Sequence, residues 1–415
     1  NYPTGTDNVA LGDTALDSVE AGGVGNVAIG SKAGTAITTG DNNVAIGTCS
    51  LLVNTTGYDN VGIGRRALDA NISGLANVGI GSSALTANTT ANSNVAVGTC
   101  AMFVNTTGTC NTAIGTVALA ANTTASFNTA VGMRAMLNTT TGNKNVAVGT
   151  SAMQCNTTGS ANTAVGGMDA NAFPTMFANT TGSSNTAIGN SALICNTTAS
   201  NNTAVGKNAL AVNTTGATNT AVGQNSLNSN TTAADNTAVG AGSLYANTEG
   251  TGNTAVGRQA LVANTTANSN TAVGASALYS NTTGANNVAV GRTALENSTT
   301  ATANTAIGFG SLRANTDGHS NTGAGQCALN GNTTGDHNTA VGFNALDSNT
   351  TANNNTAVGS NALCLNIEGH CNTAVGFNAL LKNTTQRNTA VGAYAALCNT
   401  TGQQNVAVGY YTLDA

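Results

Sequence analysis

The feature that most constrains this chain is a period. An asparagine opening the pentapeptide N-T-A-V-G, or a close variant, returns about every 17 residues along the sequence. It falls at Asn8, Asn26, Asn43, Asn60, Asn77, Asn94, Asn111, Asn128, Asn145 and Asn162, resumes at Asn185, runs on to Asn372, and recurs at Asn388 and Asn405. The step is 17 except for 18 after Asn8, 23 after Asn162 and 16 after Asn372, which makes 24 rungs. Counting places from that asparagine, the rung reads N-[T/V]-A-[V/I]-G-x-x-A-L-x-x-N-T-T-[G/A]-x-x, with Asn at place one and Gly at place five in all 24. A unit this short cannot bury its own apolar face, so it must stack on copies of itself. The expectation is an all-β fold, a parallel β-solenoid or β-roll of 24 tandem rungs, forming a single array over residues 1–415.

Composition agrees. Only 7% of residues are charged and 3% aromatic, there is no Trp, and Gly occurs 51 times. An ordinary globular domain carries about a quarter charged residues and large side chains to fill a thick core. This chain can build only a thin one. The net charge is −5 and the 11 Lys and Arg are scattered singly, which argues against a nucleic-acid partner. No apolar run approaches the ~18–20 residues of a membrane span, so membrane insertion is not expected. The sequence starts at Asn1 without Met, which is expected of a processed product or a window of a longer chain.

Strand side chains alternate, so places two and four, Thr129 and Val131 for example, are expected to point to one side, taken as the interior. Leu at place nine and a small residue at eleven, such as Leu210 and Val212, are expected to close that interior as a second strand. Place one reads as a stacked amide ladder, because a turn alone would also accept Asp, Ser or Gly.

The segments N-V-A-I-G at Asn26–Gly30 and Asn43–Gly47 resemble the head repeats of trimeric autotransporter adhesins, and similar repeats occur in phage tail-fibre-like proteins. The resemblance implies a left-handed parallel β-roll assembled as a trimer. This rung is longer than the adhesin one, and the N-T-T-G turn lies outside that pattern.

Place three is Ala in nearly every rung, and Gly at Gly62, Gly79 and Gly323. On the alternation above it faces outward. The stripe Ala130, Ala147, Ala164, Ala187, Ala204, Ala221, Ala238 and Ala255 is therefore expected to be a smooth assembly face. The N-T-T turn is also an N-glycosylation acceptor. It is intact at Asn54, Asn71, Asn88, Asn105, Asn122, Asn138, Asn156, Asn179, Asn196, Asn213, Asn230, Asn264, Asn281, Asn297, Asn332, Asn349, Asn383 and Asn399. The competing reading is structural, with Asn and Thr bonding turn amides, and Glu249, Asp317 and Glu368 in place of the second Thr favour it. Glycan attached to Asn or to the adjacent Thr hydroxyls would offset the low charge.

No catalytic residue, metal site or cofactor is expected. Asp317 and Asp336, one rung apart at a turn, are the only carboxylate pair worth naming. His319, His337 and His370 fall beside Asp317, Asp336, Glu368 and Cys371 in solvated turns, where lone polar groups are the common case. Of nine cysteines, Cys155, Cys195 and Cys398 share a place but not neighbouring rungs, while Cys100 with Cys110 and Cys364 with Cys371 are same-rung candidates for pairing. A six-residue insertion within 167–178, bearing Phe173, Pro174 and Phe177, reads as a tolerated bulge rather than a recognition loop.

The leading expectation is an extracellular or cell- or virion-surface filament, not an enzyme, that associates with itself head-to-tail or laterally and carries sugar. The alternative is the shaft or head of an adhesin or viral fibre, and a weaker third reading is an ice-binding solenoid. The terminal segments Asn1–Asp7 and Leu413–Ala415 join into a nearly regular rung, which leads us to expect continuity along a filament axis.

Overall fold

A computed structural model describes residues 5–167 and 173–413. These residues contain 24 strands of three residues and no helix. Two compact units divide the chain, Asn1–Thr215 and Gly216–Ala415. The first holds β1 (Val9–Leu11) through β12 (Thr203–Val205), and the second holds β13 (Thr220–Val222) through β24 (Val406–Val408). Within each unit every strand pairs in parallel with its successor and matches it place for place, as Val44↔Val61 and Thr254↔Thr271 do. The insertion does not disturb this, since Thr163 still pairs with Thr186. Each unit is a parallel β-solenoid. The reading of the two chain ends, and Met168–Ala172 of the insertion, lie partly or wholly outside the described residues.

Places two to four form the strand. The rest of the rung is turns, not the expected second strand. The place-eight N–H closes a turn onto the place-five carbonyl (Ser50 to Gly47, 3.2 Å), and the place-twelve N–H closes another onto place nine (Asn54 to Leu51, 3.3 Å). Rung-to-rung bonding nevertheless continues through the turns. Leu51 N–H donates to Ala67 at 3.0 Å, Val53 to Asp69 at 3.2 Å and Thr55 to Ile72 at 2.9 Å. Most of the coil's backbone is thereby paired, as a solenoid without helices requires.

The interior is the reverse of the face expected for the strand. Ala130, Ala147, Ala164, Ala187, Ala204, Ala221, Ala238 and Ala255 are all fully buried, so the stripe is core and not an assembly face. Thr129 and Val131 are half-exposed and point outward. The physical reason is the width of the coil. A Cβ built on Gly79 at place three already comes within 3.2 Å of Leu68 Cγ in the preceding rung. No Val fits there, and a shift of one place sends every strand side chain to the other face.

Leu at place nine is buried as expected, but Val212 at place eleven is 39% exposed and its partner inside is Ala209 at place eight. Adjacent residues both face inward because the backbone at place nine is left-handed in every rung, with φ between +47 and +57. Such a residue costs about 1–2 kcal/mol. Burying the leucine returns about 1.5–3 kcal/mol, so the trade favours the coil. Glycine at place five has a different cause. At Gly223 the φ is +131 and an added Cβ would lie 2.7 Å from the Gly240 carbonyl carbon, so stacked backbones exclude any side chain.

Candidate functional site

Six places face inward: Asn at one and twelve, small residues at three, eight and fifteen, and Leu at nine. The two asparagines form a polar wall around the N-T-T turn. Asn43 donates its Nδ2 to the Gly57 carbonyl at 2.9 Å, and Asn54 donates to the same oxygen at 2.9 Å. Asn60 and Asn71 share the Gly74 carbonyl in the first unit, and Asn304 and Asn315 share Gly318 in the second. A carbonyl oxygen has two lone pairs, and both are used.

Between rungs, each place-one backbone N–H donates to the Oδ1 of the preceding place-one asparagine. This ladder is continuous from Asn8 to Asn202 in the first unit. It is equally continuous from Asn219 to Asn405 in the second. The side chain must accept along the axis and donate across the turn, which a carboxamide does and a carboxylate or hydroxyl does less completely. The expected amide ladder is present.

Place twelve carries a second ladder, Nδ2 to the preceding Oδ1, as in Asn71 to Asn54 at 2.8 Å and Asn264 to Asn247 at 2.8 Å. It breaks where the asparagine is missing. Thr139 and Ser298 occupy place twelve in their rungs, and the Oδ1 atoms of Asn122 and Asn281 before them have no hydrogen-bond partner. The short rung after Asn372 makes a third break, leaving Asn366 Oδ1 unpaired, while the Thr385 carbonyl takes the amides of both Asn372 and Asn383.

This geometry sorts the glycosylation acceptors. Asn54, Asn71, Asn88, Asn105, Asn122, Asn156, Asn179, Asn196, Asn213, Asn230, Asn264, Asn281, Asn332, Asn349 and Asn383 are fully buried, and a folded rung has no room for sugar on them. Asn399 is half-buried, with its Nδ2 bonded to Asn383 and Gly402. Asn138 and Asn297 are exposed, because Thr139 and Ser298 hold the inward place beside them. The structural reading of the turn therefore prevails for the buried fifteen. Place-thirteen threonines complete it by donating Oγ1 to the next rung's carbonyl, as Thr106 does to Thr123 at 3.0 Å. Place-fourteen threonines, such as Thr56 and Thr107, stay exposed.

A third ladder was not foreseen. Where place sixteen carries an acceptor, it takes the backbone N–H of the preceding rung. In the first unit a run of five such bonds joins Thr109, Ser126, Asn143, Ser160, Ser183 and Ser200 at 2.7–3.1 Å. In the second a run of four joins Thr302 to His319 Nδ1 (3.1 Å), His319 to Asp336 (2.6 Å), Asp336 to Asn353 (2.6 Å) and Asn353 to His370 Nδ1 (2.8 Å). Both imidazoles accept at Nδ1, which puts the proton of the neutral ring on Nε2. The signal in the sequence was the frequency of Ser, Asn, Asp and His at that place. Asp317 Oδ1 accepts from Thr300 Oγ1 at 2.6 Å, so the two carboxylates of the candidate pair serve separate turn contacts. Glu249 and Glu368 are exposed. No cluster of three His, Cys, Asp or Glu fit to hold a metal occurs among the described residues.

All nine cysteines are free thiols, the candidate pairs Cys100 with Cys110 and Cys364 with Cys371 included. Burial raises the thiol pKa of Cys155, Cys195, Cys327 and Cys364. In the insertion Phe173 is 69% exposed, whereas Pro174 is buried and Thr175 bonds the carbonyls of Gly166 and Gly189 at 3.1 and 2.7 Å.

The remaining surface of note is the outer face of the strands. Place two is Thr or Val in all 24 rungs, and place four is Val or Ile in all but two. None of these side chains is buried. In the second unit Val256, Val273 and Val290 are each 36% exposed and Ile307 47%.

These features define a β-solenoid repeat protein whose interior is tied by side-chain ladders. Compared with known protein families the chain matches none, and no curated protein matches it.

Proposed function

We propose that this chain is a structural element, a stiff repeat filament or spacer that associates with copies of itself, and not a catalyst. The observation that supports this best is the place-one asparagine ladder, which runs through every step of each unit without a gap. Every rung meets its neighbour through the same place-one contact, so repetition adds length and stiffness without new packing solutions. Placement at a cell or virion surface rests on the resemblance of N-V-A-I-G to adhesin heads and fibres. Any sugar coat in this reading sits on exposed groups such as Asn138, Asn297 and the place-fourteen threonines, outside the ladders. Electron microscopy of the purified chain tests the reading. Straight, uniform rods or longer filaments are expected, and compact isolated particles would overturn it.

A further inference from the structure

We propose that the outward strand face, places two and four, is the surface on which one copy of this chain docks against the same face of a second copy. The inference rests on the assembling role proposed above and names its interface. It replaces the buried alanine stripe with the side chains one place to either side.

Three observations point to a second copy as the occupant. The first is area. In the second unit eight place-four side chains, from Val256 to Val391, are 36–47% exposed and no place-two side chain is buried, so the strip runs over many rungs, as an interface of standard size requires. The second is charge. The chain carries −5 overall, yet places two and four hold no charged residue in any rung, so two such faces meet without like charges opposed. Place ten, by contrast, holds charged Glu296 and Arg313 at the surface beside exposed Tyr245 and Tyr279. The third is period. The face repeats once per rung, in strict register from strand to strand. A partner in contact over many rungs must share that repeat, and a second copy does. Flat faces of β-branched side chains pack at about 10 Å between sheets, with methyls interdigitated.

The test uses the full chain in sedimentation velocity and light scattering. Wild type is expected to dimerise with a Kd in the micromolar range or tighter. The triple variant Val273→Lys, Val290→Lys, Ile307→Lys is expected to weaken association at least tenfold. The control Tyr245→Lys, Tyr279→Lys, charged on exposed place ten, should associate as wild type does. If the lysine variant misfolds by circular dichroism, Val273→Thr, Val290→Thr keeps the shape while making the face polar and should still weaken the dimer. Association unchanged in the face variants would overturn this assignment while leaving the assembling role intact. A wild-type chain that stays monomeric would overturn both. Ice-crystal shaping and thermal hysteresis by a monomeric wild type would assign the face to an ice lattice and likewise overturn the proposal.

Discussion

Ser311 Oγ donates to the carbonyl of Gly323 in the next rung at 2.9 Å, and it lies 2.5 Å from where a Cβ on that glycine would stand. Ser50 and Gly62 repeat the relationship at 2.8 and 2.5 Å. Where the facing place-three residue is Ala, the serine turns away. Ser226 and Ser243 face Ala238 and Ala255, and each bonds its own place-five carbonyl at 2.9 Å. A place-eight serine thus reaches the next rung's place-three carbonyl where that residue is glycine and turns back where it is alanine, a coupling of orientation to the facing residue. The double variant Ser311→Ala, Gly323→Ala restores the usual pair. It should raise stability by about 1 kcal/mol through a buried methyl and a less flexible unfolded chain. A melting temperature at or below wild type would refute the coupling.

Thr139→Asn and Ser298→Asn should each close a break in the place-twelve ladder. The new Nδ2 would reach the unpaired Oδ1 of Asn122 or Asn281 in a slot that neighbouring rungs fill with asparagine. Relieving a buried orphan and adding an amide bond should contribute about 1–2 kcal/mol each. Urea denaturation of the single variants measures it. Loss of stability in both would mean that place twelve tolerates asparagine only within an unbroken run.

Burial raises the pKa of Asp347, opposed by a hydrogen bond with Asn330. A carboxyl whose folded pKa exceeds its unfolded one adds stability at low pH. That contribution is lost as pH rises through the folded value. Asp347→Asn should therefore be more stable than wild type at neutral pH, with the gap narrowing on acidification. Melting curves at pH 7 and in the carboxylate range compare the two. A gap that widens toward acid would contradict the sign.

Thiol labelling should separate the cysteines by surroundings. Cys110, Cys371 and Cys398 are exposed, whereas Cys155, Cys195, Cys327 and Cys364 are only partly accessible and their thiolates are disfavoured by burial. Alkylation near pH 8 followed by mass spectrometry should modify the first three sooner. Uniform rates across the seven would show that the turns open faster than the reagent reacts.

Much of the architecture was legible in the sequence. The period gave the rung and invariant Asn at place one gave its ladder, whereas the cause of the invariant Gly at place five, stacked backbones in close approach, shows only once the rungs are stacked. The inside of the strand was not legible by alternation, because with so few charges neither face declares itself polar. The better signal was size. Place three never exceeds Ala, and a place that refuses even one extra methyl is inside, whereas Val and Ile interchange at place four because they meet less resistance. The left-handed residue at place nine was hidden as well. Leucine carries no sequence mark for that conformation, and it let places eight and nine face inward together. The acceptor sequons misled for a related reason, since the atoms that define them are those the turn uses for itself.

The carbonyl shared by Asn43 and Asn54 has a consequence for how such a gene can change. Each rung closes its own turn and offers its neighbour the same edge. Unequal crossing-over between two full-length rungs of a unit that both carry Asn at places one and twelve would leave a seam like the others. Copy number is then free to drift, and selection on length acts directly on recombination products. Slips of less than a rung behave differently. In the 16-residue rung after Asn372 the Thr385 carbonyl stands in for the missing turn residue, and the nearby Asn366 Oδ1 is left unpaired. Whole rungs can come and go, while single residues leave a scar.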